Sequence, residues 1–264
     1  MKVWHKVALS VAAALAALCG LGGSVGATPK GNNPFAVPAV REYLGSRIDV
    51  SAAVYDISSK KTYVYRSGVV GDTASIIKVN ILALLLYQSQ ESGVGLSEET
   101  KETAAAMIEY SDNDSATDLW NMVGGQSAVA AFDLKIGMSE TTPNEDWGLT
   151  TTTPVDQLTL LKLIALPNKV LSNASRAYAM SLMEHVVSYE RFGVGWGTPA
   201  SATVAMKDGW YPESNGWQTN SIGIVNSGTR RYLVAVMGAR EPSQMYGEDT
   251  LTDVAQLVWR TLRP

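Results

Sequence analysis

The chain has 264 residues and a formal net charge of −4, with 46% hydrophobic and 17% charged residues, enough apolar side chain to bury a core in one globular domain or one with two lobes. A pI near 5.3 and the lack of any block of like charges leave no cationic field to attract phosphates, which argues against nucleic-acid binding.

The N-terminus reads as a secretory leader. Lys2 and Lys6 form a basic start, Val7 to Leu18 an apolar run, and Val25-Gly26-Ala27 a small-residue cleavage site. That run is too short to span a bilayer, which takes about 20 residues. Secretion after cleavage at residue 27 is therefore expected. The alternative is a lipid anchor at Cys19, but Leu18 stands where a lipidation signal needs a small residue. Cleavage removes His5 and Cys19, leaving His185 as the one histidine and no cysteine. No disulfide, thiolate nucleophile or imidazole-based zinc site can then be built, and no metal or cofactor is expected. His185 lies in a helix-like stretch and reads as a packing or surface residue, and the only G-x-S-x-G, Gly22 to Gly26, falls inside the leader.

Thr28 to Pro38 is rich in Gly, Asn and Pro, and the flexible lead-in is bounded at 28–41, with Val40 to Leu44 beginning a helix. The domain proper is 42–264. Alternating patterns over Ile48 to Tyr55 and Thr62 to Tyr65 predict a hairpin. Helical patterns follow at Ser75 to Gln88, Ser97 to Tyr110, Asp114 to Val123, Ser127 to Asp133, Pro154 to Leu166 and Ala174 to Val187. Strand patterns return at Thr203 to Lys207, Ser221 to Val225 and Tyr232 to Met237, before a helix over Thr250 to Leu262. Strands at both ends with helices between predict an α/β (α+β) fold: an antiparallel sheet covered by helices, plus an all-helical lobe over about 79–190. There is no internal repeat.

Three short motifs could carry chemistry. Ser75-Ile76-Ile77-Lys78 places a serine and a lysine one helical turn apart, so that the amine can reach the hydroxyl. Ser58-Ser59-Lys60-Lys61 has the same spacing but lies in the hairpin turn. Lys78 instead sits in a run apolar on all sides, where desolvation disfavours its charge and suits it to act as a base; a lysine snorkelling from a core helix is the alternative. Asp72 and Thr73 are candidate caps for this helix. Ser111-Asp112-Asn113 is either a helix cap or a second catalytic element. Lys207-Asp208-Gly209-Trp210 is either a hairpin turn or a third.

In this order and in these elements, the three motifs resemble the penicillin-recognising serine hydrolases, the class A β-lactamases and related D-alanyl-D-alanine peptidases. The resemblance covers nearly all of the chain after Ile48, including Asn121 to Gly125 and Thr152-Thr153-Pro154. It implies Ser75 as nucleophile, Lys78 as its base and Ser111 as the proton relay to the leaving group. Asn113 would hold a substrate amide, and Lys207 would attract an anionic substrate group. The backbone N–H groups of Ser75 and Trp210 would form the oxyanion hole, and Gly209 of the third motif would be part of the substrate-binding site. The substrate implied is a β-lactam, amide or ester. A D,D-peptidase or esterase on cell-wall-like peptides and a catalytically silent binding module are the alternatives. A monomer with a small-molecule or peptide substrate, without nucleic acid or membrane span, is expected.

Three features depart from the family. Only 36 positions separate Ser75 from Ser111. The loop expected to bear a deacylating glutamate is cut to about Ser139 to Leu149, where Glu145 and Asp146 lie outside the E-x-x-L-N pattern. Asp208 replaces a family hydroxyl, and is expected to repel substrates bearing a carboxylate; the alternative is that it points away from the cleft and only forms a turn. Trp147, Trp196, Trp210 and Trp217 are candidates to line the cleft.

Overall fold

The computed structural model describes residues 33–262. The leader and its cleavage site lie outside them. Five strands form one antiparallel sheet in the order β2 (Lys61–Tyr65), β1 (Ser51–Asp56), β7 (Arg230–Glu241), β6 (Gly216–Ser227) and β5 (Thr203–Glu213). A two-residue pair, β3 (Gly71–Asp72) with β4 (Thr151–Thr152), stands apart. The sequence-predicted hairpin and the C-terminal strands are all present, and the C-terminal three are longer than their apolar patterns. β5 runs six residues past Lys207, so Lys207-Asp208-Gly209-Trp210 is mid-strand and not a turn.

The strands alternate cleanly between two cores. Ala53, Ala205, Ile222, Ile224, Leu233 and Ala235 face the helical lobe, while Ala52, Val54, Met206, Val225, Val234 and Val236 face the opposite layer. That layer is built from α1 (Pro38–Gly45) and the C-terminal helix α8 (Gln244–Thr261). Here the expected lead-in needs correcting in part. Residues 34–36 form a 3-10 turn, α1 begins at Pro38, and Phe35 and Val40 are buried against this second core. An apolar side chain every few residues was enough to seat a segment whose Gly and Pro content reads as loose.

Between β3 and β5 lie the other helices. α2 (Ile77–Ser92) is the lobe's axis, with every residue from Ile77 to Leu86 buried, and ends at Gly93 in the left-handed conformation (φ +69°). Around it pack α3 (Glu98–Glu109), α4 (Asn113–Val123), α5 (Gly125–Ile136), α6 (Pro154–Ala165) and α7 (Asn173–Glu184). Their starts follow cap chemistry. The side chains of Ser97, Thr153 and Ser172 accept from Thr100, Asp156 and Ser175 backbone N–H groups, and Pro154 occupies the first turn of α6. His185 closes α7, exposed, with Nδ1 2.7 Å from the Ser181 carbonyl oxygen. Among the described residues no helix is long and apolar enough to cross a membrane, and no cluster of three or more His, Cys, Asp or Glu could hold a metal ion.

A buried charge cluster sits where β7 meets α8. Arg47 stacks against Tyr43 and Tyr246, 4.4 and 4.9 Å from their ring centroids. Nearby, Glu241 is fully buried and neither of its carboxyl oxygens has a hydrogen-bond partner.

Candidate active site

Ser75 lies in a 3-10 turn, Ala74–Ile76, that leads into α2. The α-helix itself starts two residues later than the apolar run predicts. Neither expected cap is used: Thr73 makes no cap hydrogen bond, and the Asp72 carboxylate accepts from the Tyr211 hydroxyl. Instead, the sheet pins the turn. Asn220 Nδ2 donates to the backbone oxygens of Asp72 and Thr73 at 2.8 and 2.9 Å, and Gln218 Nε2 holds Asn220 Oδ1 at 3.0 Å. Ala74 has φ +47°, a strained backbone for a residue with a Cβ, immediately before Ser75. Gly209 on β5 abuts the same turn. A Cβ added there would stand 2.5 Å from the Ser75 backbone nitrogen, so only glycine lets strand and turn approach.

The second motif divides its labour. Asp112 is the N-cap of α4, accepting from Ser115 N–H at 2.7 Å, which is the ordinary cap chemistry. Ser111 and Asn113, on either side, face the lysines. Lys78 Nζ donates to the Ser111 carbonyl oxygen at 2.6 Å, to Asn113 Oδ1 at 2.7 Å and to Ser111 Oγ at 3.2 Å. Ser111 adopts φ +56°, and this left-handed conformation lets both its carbonyl and its hydroxyl meet one ammonium. Lys207 Nζ donates to the same Ser111 Oγ at 2.9 Å and to the Asp208 carbonyl oxygen at 2.8 Å. The three motifs thus converge on Ser111, while no hydrogen bond joins Lys78 to Ser75.

Both lysines are fully buried. Burial, with Lys207 as the second cause, brings Lys78 down to about 7. Burial likewise brings Lys207 down to about 8, against the upward pull of Asp208 and Glu190.

Asp208 does not enter the cleft, which corrects its expected role beside the substrate. Strand alternation sends Lys207 and Gly209 to one face of β5 and Asp208 and Trp210 to the other. The Asp208 carboxylate is fully buried and accepts from the Phe192 N–H at 2.6 Å, and burial raises its pKa well above the usual range. The Trp210 ring, on the same far face, meets Phe192 edge-on at 5.5 Å between centroids.

The shortened loop brings aromatic surface instead of a carboxylate. The Trp147 ring centroid lies 5.1 Å from Lys78 Nζ, and its Nε1 donates to Thr117 Oγ1 on α4. Glu145 and Asp146 are exposed and form part of the wall of an adjoining groove of about 670 Å³ with Trp120, Asn121 and Gln126. Trp196 lines a separate groove with Ser188 and Arg191.

Sequence reasoning missed Glu190. It ends a 3-10 turn, Ser188–Glu190, and is 9% exposed. Burial raises its pKa, while the charges of Lys207 and Lys78 and a hydrogen bond from Ser111 lower it, although among the described residues its carboxylate makes no direct ion pair with either lysine. No periodicity or motif marks a lone glutamate in a polar connection.

With this geometry in place, comparison with known proteins gives three results. The fold is that of the class A β-lactamases. TLA-1 extended-spectrum β-lactamase superimposes with a TM-score of 0.76 at 20% identity, covering 85% of this chain and 97% of that one. A class A β-lactamase from Mycobacterium abscessus gives 0.72 at 19%, covering 83% and 97%. PBP-A gives 0.68 at 22%, covering 81% and 90%. Residues 93–262 match the model of the Beta-lactamase enzyme family, and the chain belongs to that family. It is also 26% identical, over 196 residues, to "Putative lipoprotein LppW" of Mycobacterium bovis and of Mycobacterium tuberculosis; the match covers 71% of this chain and spans 62% of the length of those relatives.

Proposed function

We propose that the protein is a secreted, cofactor-free serine hydrolase of the class A β-lactamase type that forms an acyl-enzyme on Ser75. The observation that carries this is the Ser111 hydroxyl held between Lys78 and Lys207 while Gly209 closes on the Ser75 backbone. A binding module has no use for two buried lysines on one serine, since each costs desolvation.

In this reading Ser75 Oγ attacks the acyl carbon and its proton passes to neutral Lys78. With a pKa near 7, that amine is partly unprotonated at neutral pH. On losing its proton, Lys78 gives up one of its three hydrogen bonds and turns a lone pair toward Ser75. The oxyanion is met by the backbone N–H groups of Ser75 and Trp210. Ser111 Oγ accepts from both lysines, and its own proton, donated to Glu190 in the resting site, turns to the leaving nitrogen or oxygen as the C–N or C–O bond breaks. Lys78 restores that proton, and Asn113 orients the substrate amide.

The acyl donor is a β-lactam, amide or ester. Trp147 over Lys78, with no carboxylate from its loop beside it, favours slow hydrolysis of the acyl-enzyme, as in a D,D-peptidase or esterase acting on cell-wall-like peptides. Export rests on the leader pattern and agrees with the lipoprotein name of the mycobacterial relatives. Incubation of the mature chain with a penicillin and, separately, with a fluorophosphonate, read by intact mass, tests the proposal. A stoichiometric adduct on Ser75 supports it, and no adduct from either reagent defeats it.

A further inference from the structure

Lys78 and Lys207 are the cations that a substrate carboxylate would seek in this cleft, yet little of either is on offer. Lys78 spends all three N–H donors on Ser111 and Asn113, and Lys207 spends two of its three on Ser111 Oγ and the Asp208 carbonyl. Neither side chain has any exposed surface.

The chain places its own anion against what remains. The connection from residue 187 to 192 is tied down at both ends beside the catalytic motifs. Val187 N–H donates to the Glu109 carbonyl at 2.9 Å, two residues before Ser111, and Phe192 N–H donates to Asp208, next to Lys207. Glu190 is the buried carboxylate of this strap, and its Oε2 is shut off from solvent with no hydrogen-bond partner. The Glu190 side chain is 9% exposed, in a strap tied next to Ser111 and to Lys207; it makes no direct ion pair among the described residues, but it feels the charge of both lysines and so balances charge that an incoming anion would otherwise neutralise.

We propose that Glu190 is a specificity-determining residue that takes the place of a substrate carboxylate, so that the site selects acyl donors uncharged at that end, esters or amides without a free acid. This rests on the acyl-enzyme reading above and refines its substrate class. The geometry also accounts for a lysine pair that would otherwise leave two desolvated positive charges around one hydroxyl. A carboxylate-bearing donor would have to displace Glu190 or stack a second anion on it.

The test uses the mature full-length chain and its Glu190→Gln variant, each with a penicillin and with the methyl ester of the same penicillin. Acylation of Ser75 is followed by intact mass, and a fluorophosphonate is run in parallel. In the wild type the ester should react at least tenfold faster than the free acid, and Glu190→Gln should shrink that ratio at least tenfold. Taking the ratio cancels any effect of the substitution on the shared chemistry of Ser111. A wild type that prefers the free acid, or a ratio that Glu190→Gln leaves unchanged, overturns the assignment. If the fluorophosphonate labels Ser75 in the variant but neither penicillin form does, the specificity role fails while the hydrolase reading stands. If no reagent labels Ser75 in either protein, the hydrolase reading fails and takes this proposal with it.

Discussion

Lys78 and Lys207 donate to one and the same oxygen, Ser111 Oγ, at 3.2 and 2.9 Å, although they come from a helix in the middle of one lobe and from the edge strand of the sheet. Each ammonium raises the cost of charging the other, which is why Lys207 is the second cause, after burial, of the low Lys78 pKa. The pair therefore makes a base out of one lysine by keeping the other charged.

That arrangement sets a pH dependence. Lys78 accepts the Ser75 proton only in its neutral form, so labelling of Ser75 by a fluorophosphonate should accelerate as pH rises through about 7. Second-order labelling rates between pH 5.5 and 8 would show the rise. A flat profile would mean that Lys78 is not the base. Lys78→Arg, which holds its charge throughout, should lower the rate by about 10² to 10⁴ above pH 7 and abolish the rise with pH.

Ser75 should carry the adduct alone. Peptide mapping after labelling should find it there, with Ser75→Ala abolishing it and Ser58→Ala leaving it intact. Ser58 shares the four-residue spacing, but its backbone N–H donates to Asp56 in a turn between β1 and β2. An adduct on Ser111, held by two lysines, would be the informative failure.

If penicillins or their esters acylate Ser75, the adduct should persist. General-base help from a carboxylate is worth about 10² to 10⁴ in rate, and the shortened loop points Trp147 at Lys78 while Glu145 and Asp146 face solvent. Stopped-flow with a chromogenic cephalosporin should give at most a burst followed by slow turnover. Rapid steady-state hydrolysis would show that another group activates the water.

Asp208 should matter for stability and not for substrate charge. Asp208→Ala leaves the buried Phe192 N–H without its acceptor and should cost about 1–3 kcal/mol in urea unfolding. Asp208→Asn keeps an acceptor and should change the acid-to-ester acylation ratio by less than threefold, in contrast to Glu190→Gln.

Asp208 also marks where the sequence was legible and where it was not. The all-round apolar run of α2 announced a central helix, and the three motifs announced a common site. Reading Lys207 and Asp208 into the same cleft overlooked the two-residue period of the strand that carries them, which forces neighbours to opposite faces. The sequence reading ends this strand at Lys207 because the polar Lys207-Asp208 pair and the Asp-Gly step read as a turn, whereas β5 continues through them to Glu213. Glu190 could not be found at all, because its place depends on two bonds to residues far away in the chain, Glu109 and Asp208. Strands and helices declare themselves through local periodicity. A strap between them does not.

Glu241 predicts a second pH effect, on folding. Burial raises its pKa to about 7 from an ordinary 4.5, so between those values the folded chain binds a proton that the unfolded chain releases. Stability should therefore fall as pH rises through this window and recover as pH drops. Urea midpoints at pH 5 and pH 8 should show the wild type losing more stability at the higher pH than Glu241→Gln does. Equal losses in the two proteins would mean that Glu241 finds a partner on ionising.

The long reach of the site's hydrogen bonds has a consequence for how the protein comes into being. Lys207 meets Ser111 across 96 residues of chain and Asn220 meets Asp72 across 148, while β1 pairs with β7 near the opposite end of the domain. Contacts so far apart in sequence close late, because loop entropy must be overcome before they form. A nascent chain emerging N-terminus first would hold Ser75, Lys78 and Ser111 without Lys207 or the Asn220 brace until its last strands arrive. Competence to react is then a property of the finished molecule, and a chain truncated before β5 should be inert as well as unstable.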